Sequence, residues 1–335
     1  MENIAYRQTT PGEPTRLVQV TEELSPPGNG EVLMRIRATS LNARDLTVLN
    51  GRYPVKAKPG RIPLSDAAGE IVGIGEDVTR FSVGDRVVNC FYPQWFGGPL
   101  RVRPTQYGTS VDGWLSTYRV ISAEALTRMP DHLGFEEAAT LPCAGVTAWS
   151  ALRGITAGDT VLTQGSGGVS LFAIRLAKKS GGRVIATTTS AHKADRLKAL
   201  GADEVIDVRA FAEWAEIAKD LTNGLGVDRI VEVGGPETLS ESIKAVAYHG
   251  QVSVIGALTA GRDQPAIDFM RLFFSQARYE CIGVGSRSDL EDLIRATANH
   301  QLRPVIDSSF PFDDFDKALA RLAGRDVFGK VVITH

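Results

Sequence analysis

The 335-residue chain reads as an α/β protein: a compact β-rich region followed by a doubly wound parallel sheet of six strands. Three observations predict this. The segment Asp159-Thr-Val-Leu-Thr-Gln-Gly-Ser-Gly-Gly-Val-Ser170 runs from a β-branched strand through a glycine turn into an apolar-periodic helix that reaches Lys179. Short apolar strands and helical patterns then alternate as far as residue 284, the signature of a parallel sheet covered on both faces. Residues 1–126, by contrast, hold short β-rich runs broken by turns, with few helices.

In chain order, the first region has strand-like runs at 31–38, 69–74 and 85–90, separated by turns at Pro26-Pro27-Gly28 and at 82–85. Residues 93–113 are rich in Gly, Pro and polar side chains and carry Trp95, Phe96 and Tyr107. A loop of that length is expected to be functional or solvated, so a substrate-cleft rim, a surface loop and a partner contact all fit it. The glycine turn follows. Gly165 lets the chain bend sharply, Gly167 lets backbone approach a phosphate, and Gly168 and Val169 open a helix whose positive end faces the anion. Ser170 stands where the dinucleotide fingerprint has its third glycine.

A second strand is expected at 183–188 and a helix at 191–200, ending at Gly201. Further strands follow at 204–206, 228–233, 251–255 and 279–284, with helices at 211–221 and 238–247. Ligands of such sheets bind outside the carboxyl ends of the strands. There the chain places Val233-Gly234-Gly235, Ile255-Gly256-Ala257 and Val284-Gly285-Ser286. After a helix at 289–300 and a helical stretch at 313–322 comes a last apolar strand, 328–333. Six strands already fill the sheet, so this one is expected to return to the amino-terminal domain. The expected division is therefore 1–126, 127–286 and 287–335, the first and last parts forming one domain.

Hydrophobic content of 43% with 23% charged residues is that of a soluble globular protein. No apolar run approaches the roughly 20 residues of a membrane span, and residues 1–8 lack the blocks of a signal peptide. A cytoplasmic location is the expectation. A net charge of −2 gives no basic excess for nucleic acid. Cys90, Cys143 and Cys281 are scattered and odd in number, which suits a reducing compartment and suggests no metal, as do the five dispersed histidines.

The segments Ser40-Leu-Asn-Ala-Arg-Asp-Leu46, Gly51-Arg-Tyr-Pro54, Pro63-Leu-Ser-Asp-Ala-Ala-Gly69, Val72-Gly-Ile-Gly75 and Phe81-Ser-Val-Gly-Asp-Arg-Val87, then 136–149, Ala199-Leu-Gly-Ala-Asp203 and Phe328-Gly-Lys330, follow one another in a specific order and spacing. With them the whole chain resembles the medium-chain dehydrogenase/reductase superfamily, in particular its zinc-free quinone oxidoreductase-like branch. The resemblance implies a GroES-like catalytic domain, a Rossmann domain, an interdomain cleft and hydride transfer from a nicotinamide cofactor. At the positions of the zinc ligands of zinc-dependent relatives stand Asn42, Ser65 and Cys143. An amide, a hydroxyl and one thiol make no credible zinc set. The resemblance places Asn42 and Thr147 beside the nicotinamide, puts Tyr53 at a proton-donor tyrosine of enoyl-thioester reductases, and makes Gly329 and Lys330 cofactor contacts. Tyr53 could instead be a packing residue with a satisfied hydroxyl. Cys143 is read as an inert buried side chain in preference to a reactive thiol, and Asp45 as structural.

Selectivity for NAD usually rests on an acidic residue after the second strand. Here that stretch is Thr187-Thr-Thr-Ser-Ala-His-Lys193, with no carboxylate before Asp195. Hydroxyls and an ammonium suit a 2′-phosphate, so the expected cofactor is NADP(H), held by Thr188, Ser190 and Lys193, with His192 or Arg196 as helpers. A solvated helix lysine is the other reading of Lys193. Without a metal, the best-suited reaction is conjugate reduction of a quinone or an α,β-unsaturated carbonyl. Zinc-free alcohol or aldehyde chemistry and a catalytically weak NADP(H)-binding protein are the alternatives. The resemblance implies a homodimer, for which the 279–284 strand could serve as the joining edge; a capped monomer is the alternative.

Overall fold

The computed structural model describes residues 1–9, 16–257, 266–324 and 326–335. The first strands are β1 (Glu2–Gln8), β2 (Leu17–Glu23), β3 (Glu31–Ser40), β4 (Asp66–Ile74), β5 (Arg86–Asn89), β6 (Tyr118–Ser122) and β7 (Leu126–Arg128). The middle of the chain supplies β8 (Thr160–Gln164), β9 (Arg183–Thr188), β10 (Glu204–Asp207), β11 (Val227–Glu232), β12 (Val246–Val254) and β13 (Arg278–Cys281). The tail adds β14 (Ile306–Pro311) and β15 (Lys330–Thr334). The chain divides into two compact units, Met1–Val146 with Gly285–His335, and Thr147–Val284.

Among the described residues the first unit contains a sheet ordered β14-β15-β3-β4-β5-β7, with β6 also on β3, and the hairpin β1-β2. Strand β3 shows why it lies there. Val32, Met34 and Ile36 are buried while their neighbours Arg35 and Arg37 are not, the two-residue period of a strand with one covered face. From Ala38 onward every residue of β3 is buried, because β15 lies antiparallel to that end, pairing Val332 with Ser40 and Thr334 with Ala38. The last strand of the chain thus completes the first domain. Leu41, Leu49, Leu64, Phe315, Val331 and Ile333 form a shared apolar cluster there.

The unit boundary falls after residue 146, twenty residues past the expected 126. The cause is pairing: β7 joins β5 in register Val87–Arg128 to Asn89–Leu126, so the chain stays on the first sheet. It then runs through the short helix Phe135–Ala138 and a π-helical turn, Leu141–Gly145, before leaving it.

Among the described residues the second unit holds one parallel sheet of six strands, ordered β10-β9-β8-β11-β12-β13. Its order reverses between β8 and β11, where open α/β sheets bind ligands. The helix Gly168–Lys179 buries Leu171, Ile174 and Ala177 and keeps Lys178 and Lys179 in its last turn, where cations complement the helix dipole. Strand β13 ends at Cys281, short of the expected 284, and Val284 takes the left-handed conformation at φ 65°. No helix among the described residues is long and apolar enough to cross a membrane.

Candidate functional site

The turn after β8 is an open cradle. Gly165 has φ 72°, a backbone conformation that favours glycine, and a Cβ built on Gly165 or Gly167 meets nothing within 4 Å. Gly167 leads into the helix Gly168–Lys179 and no side chain caps it. The helix start at Gly168 and Val169 therefore presents backbone amides and a positive dipole end to free space, which fits a pyrophosphate. Ser170 does the work of the missing glycine differently. It is 1% exposed and its hydroxyl donates to the Gln164 carbonyl at 2.6 Å, tying helix to strand.

The neighbouring strand end is organised by two side chains that carry no motif. Glu232 accepts at Oε1 from the amides of Gly234 and Gly235, both at 2.9 Å, and from the Thr238 hydroxyl at 2.5 Å. Its Oε2 accepts from Gln164 Nε2 at 2.7 Å and from the Ser242 hydroxyl. Gln164 Oε1 accepts from the Val233 and Gly234 amides at 3.1 and 3.0 Å. Ile255 and Gly256 donate their amides to the Glu232 carbonyl at 2.8 and 3.0 Å, and Ala257 follows, exposed. Gly256 is demanded by backbone, since a Cβ there would lie 2.3 Å from the Val233 carbonyl oxygen. Thr147 is buried at the start of this unit, Val284 is its last residue, and Gly285 opens the return to the first unit.

Around the end of β9, Thr188 is buried, donates to the Ser190 carbonyl at 3.2 Å and accepts the Ser190 amide at 3.1 Å. The Ser190 hydroxyl meets His192 Nδ1 at 2.8 Å. Lys193 closes the 3-10 turn Ala191–Lys193 and is only 6% exposed, so it is not a solvated helix lysine.

In the first unit, Leu41 is anchored in the apolar cluster and sets Asn42 at the start of the helix Ala43–Leu49. Asp45 Oδ2 accepts the Asn42 amide at 2.7 Å, the structural role expected of it. The side chain of Asn42 accepts Lys330 Nζ at Oδ1 (2.5 Å) and donates from Nδ2 to Asp66 Oδ2 (2.9 Å) and towards Ser65 Oγ (3.4 Å). Ser65 donates to Asp66 Oδ1 at 2.8 Å, the Cys143 amide to Asp66 Oδ2 at 3.3 Å, and Lys330 also to the Leu41 carbonyl at 2.5 Å. A buried ammonium and a buried carboxylate are thus joined through one amide. Burial raises the Asp66 carboxyl pKa against the pull of Lys330 and the Asn42 and Ser65 donors, and pushes Asp45 up to about 6 against the pull of Arg44. Lys330 is 4% exposed, and both acceptors the structure gives its ammonium lie in the 41–42 segment.

Tyr53 follows the same helix by one turn, its amide on the Thr47 carbonyl at 3.0 Å. Its hydroxyl donates to Gln106 Oε1 at 3.1 Å. Residues 93–113 are therefore not simply a solvated loop. Phe96 and Val102 are exposed, but Gln106 and Tyr107 are buried, and Tyr107 stacks edge-on against Trp114 at 5.1 Å. Arg44, 5% exposed, lies between the rings of Tyr53 and Phe91, at 4.9 and 5.2 Å.

The chain as a whole is similar to known proteins. The alcohol dehydrogenase GroES-like domain model matches residues 28–131, and the zinc-binding dehydrogenase model matches 168–299. A zinc-type alcohol dehydrogenase-like protein of Schizosaccharomyces pombe is 37% identical over 94% of this chain and 93% of its own. The chain belongs to the medium-chain dehydrogenase/reductase superfamily. Two further members of that superfamily are an acryloyl-coenzyme A reductase of Metallosphaera sedula, 30% identical over 92% of this chain and 93% of its own, and a chloroplastic quinone-oxidoreductase of Triphysaria versicolor, 31% identical over 95% and 93%. A solved chain from Sinorhizobium meliloti, described as a candidate alcohol dehydrogenase, superposes with TM-score 0.93 at 38% identity, covering 100% of this chain and 99% of that one. The protein is a medium-chain oxidoreductase with a nicotinamide-cofactor fold.

The superfamily's zinc does not fit this member's residues. An ammonium occupies the Asn42 carbonyl oxygen, and the Ser65 hydroxyl is turned to Asp66. Cys143 is the one thiol of the three, and burial with the adjacent Asp66 raises its pKa. One thiol, a hydroxyl turned to a carboxylate and an amide already bound to a cation are a poor donor set for Zn²⁺. The nucleotide cradle, in contrast, fits its cofactor: it has open space at the Cβ positions of Gly165 and Gly167 and a helix start with no side-chain cap.

Sequence patterns singled out the glycine-rich strand ends, Asn42, Tyr53 and Lys330 as candidates; Arg44, Asp66, Gln106 and Glu232, which bond to or pack against them, were not singled out. Asp66 lies inside the quoted 63–69 segment and was the legible one. Glu232 and Gln106 carry no local pattern.

Proposed function

We propose that this chain is an NADPH-dependent, zinc-independent reductase of quinones or α,β-unsaturated carbonyls. The observation that supports the reading is the Lys330–Asn42–Asp66 chain, which already engages both polar atoms of the Asn42 amide, the group at one of the positions where zinc-dependent relatives carry a ligand. Conjugate reduction needs less polarisation of the substrate oxygen, because charge is delocalised over an enolate or phenolate. The acryloyl-coenzyme A reductase and quinone-oxidoreductase names among the relatives support the same class.

The cofactor would rest on the helix start after Gly167, with Thr188, Ser190 and Lys193 at its 2′-phosphate, and when bound it supplies the hydride. Asn42 is the group proposed to face the nicotinamide. Its amide is held rigidly, since both its oxygen and its nitrogen are engaged. Tyr53 gives the proton: its O–H bond breaks as the substrate enolate takes the proton, and water restores the phenol.

The test is turnover with NADPH on quinones and enones against saturated aldehydes, alongside Tyr53→Phe. Conjugate reduction, slowed in the variant with NADPH affinity intact, is expected. Turnover confined to saturated aldehydes or alcohols would replace this reading with zinc-free alcohol chemistry. Tight NADPH binding with no turnover would leave a cofactor-binding protein.

The reading extends to a cytoplasmic homodimer. Strand β13 lies at the sheet edge, and beside it in sequence the helix Phe269–Phe274 exposes Phe269, Met270, Phe273 and Phe274 by 56–69%. Unpaired strand edges and apolar patches of this kind call for a cover, and light scattering of the purified protein measures whether a second copy supplies it.

A further inference from the structure

We propose that Arg44 is a positioning residue for proton transfer: with Gln106 it holds the Tyr53 hydroxyl and stabilises the phenolate left when the proton departs. This rests on Tyr53 as the proton donor. Gln106 Oε1 accepts from both Tyr53 OH at 3.1 Å and Arg44 Nη2 at 3.5 Å, so one amide oxygen links the phenol to a guanidinium. The cation also stands over the tyrosine ring at 4.9 Å.

Arg44 has charge to offer because it is incompletely paired. Asp45 Oδ1 is 3.5 Å from Nη1, the Tyr107 carbonyl is 3.2 Å from Nη2, and the buried Nε has no acceptor among the described residues. A cation needed only for packing would be costly to bury in this state. Its environment keeps it ionised: burial disfavours the charge, but Asp45 and then Tyr53 outweigh that. In a low-dielectric setting a fixed cation acts most on charge that develops nearby during the reaction. Tyr53 turns its one O–H from Gln106 Oε1 to the substrate enolate, and as the proton passes, negative charge appears on the phenol oxygen of the ring that this guanidinium covers. Gln106 Oε1 meanwhile keeps the arginine as donor. The buried half of the 93–113 loop is thereby given a purpose, which is to deliver the shared acceptor.

The test is a double-mutant cycle with an enone and NADPH, on wild type, Arg44→Met, Tyr53→Phe and the double variant, with Arg44→Lys as the conservative rescue. Arg44→Met is expected to lower kcat roughly 10- to 100-fold, to raise the solvent deuterium isotope effect, and to leave the KM for NADPH within about twofold. Arg44→Lys should regain much of the rate, and the double variant should be no slower than Tyr53→Phe alone. Wild-type kcat in Arg44→Met, or a loss that multiplies with that of Tyr53→Phe, overturns the proposal while leaving Tyr53 as donor. Wild-type kcat in Tyr53→Phe instead removes the donor, and the role of Arg44 with it. If Arg44→Met does not fold, Gln106→Leu takes its place in the cycle, and a loss additive with Tyr53→Phe is again fatal.

Discussion

Lys330 Nζ lies 2.5 Å from Asn42 Oδ1. Lysine can only donate, so the amide oxygen must face it and the amide nitrogen must face Asp66, which can only accept when ionised. One contact across the chain thus fixes the orientation of the side chain proposed to meet the nicotinamide. Removing the ammonium with Lys330→Met would strand the Asp66 carboxylate in the interior. Urea unfolding should show a loss of about 3 kcal/mol or more. Adding Asp66→Asn should recover most of it, because the uncompensated charge is then gone, and an unrecovered loss would show that packing of the lysine stem dominates.

Asp45 makes stability depend on pH in a predictable direction. Its folded pKa, about 6, lies above the unfolded value near 3.8, so protonation favours the folded form. That contribution is complete below the unfolded value and fades as pH rises through about 6. Asp45→Asn keeps an acceptor for the Asn42 amide and abolishes the titration. Relative to wild type, the variant should gain on the order of 2 kcal/mol between pH 4 and 7.5. A pH-independent difference in unfolding free energy would contradict this.

Two glycines should respond oppositely to alanine. At Gly167 the added methyl meets no protein atom and the backbone, at φ −76°, already suits alanine. Gly167→Ala should cost only about 0.5–1 kcal/mol, the weaker helix cap, yet weaken NADPH binding by about tenfold or more by crowding the pyrophosphate. At Gly256 the methyl would sit 2.3 Å from the Val233 carbonyl and 2.5 Å from the Gly235 amide nitrogen. Gly256→Ala should lose at least about 2 kcal/mol of stability. Calorimetry for binding and chemical denaturation for stability separate the two.

Lys193 is the residue proposed to select the cofactor. With Thr188 and Ser190 beside it and no carboxylate before Asp195, NADPH should bind at least about tenfold more tightly than NADH, the discrimination a charged phosphate contact provides. Lys193→Ala should erase most of that gap by weakening NADPH alone. Equal affinities in wild type and variant would reject the assignment.

Sequence alone determined whatever depends on near neighbours. The two-residue period of β3, the strand at 183–188 and the turn from Gln164 into the helix at Gly168 are set by side-chain alternation and by glycine, and they stood where expected. Even the return of the tail followed from counting strands. The expected boundary at 126 missed because β7 is a three-residue strand with no pattern of its own, held only by pairing with β5. The strand expected to reach 284 stopped at Cys281 for a similar reason: apolar side chains continue, but the backbone of Val284 turns out of the β region. What only the tertiary structure decided is the company each polar group keeps. Lys330 reaches Asn42 across 288 residues, Gln106 reaches Tyr53 across 53, and Gln164 reaches Glu232 across 68. Buried polar groups must find partners wherever the fold brings them. Chain folding, not local spacing, therefore chose these partners, and with them the charges around Asn42 and Tyr53.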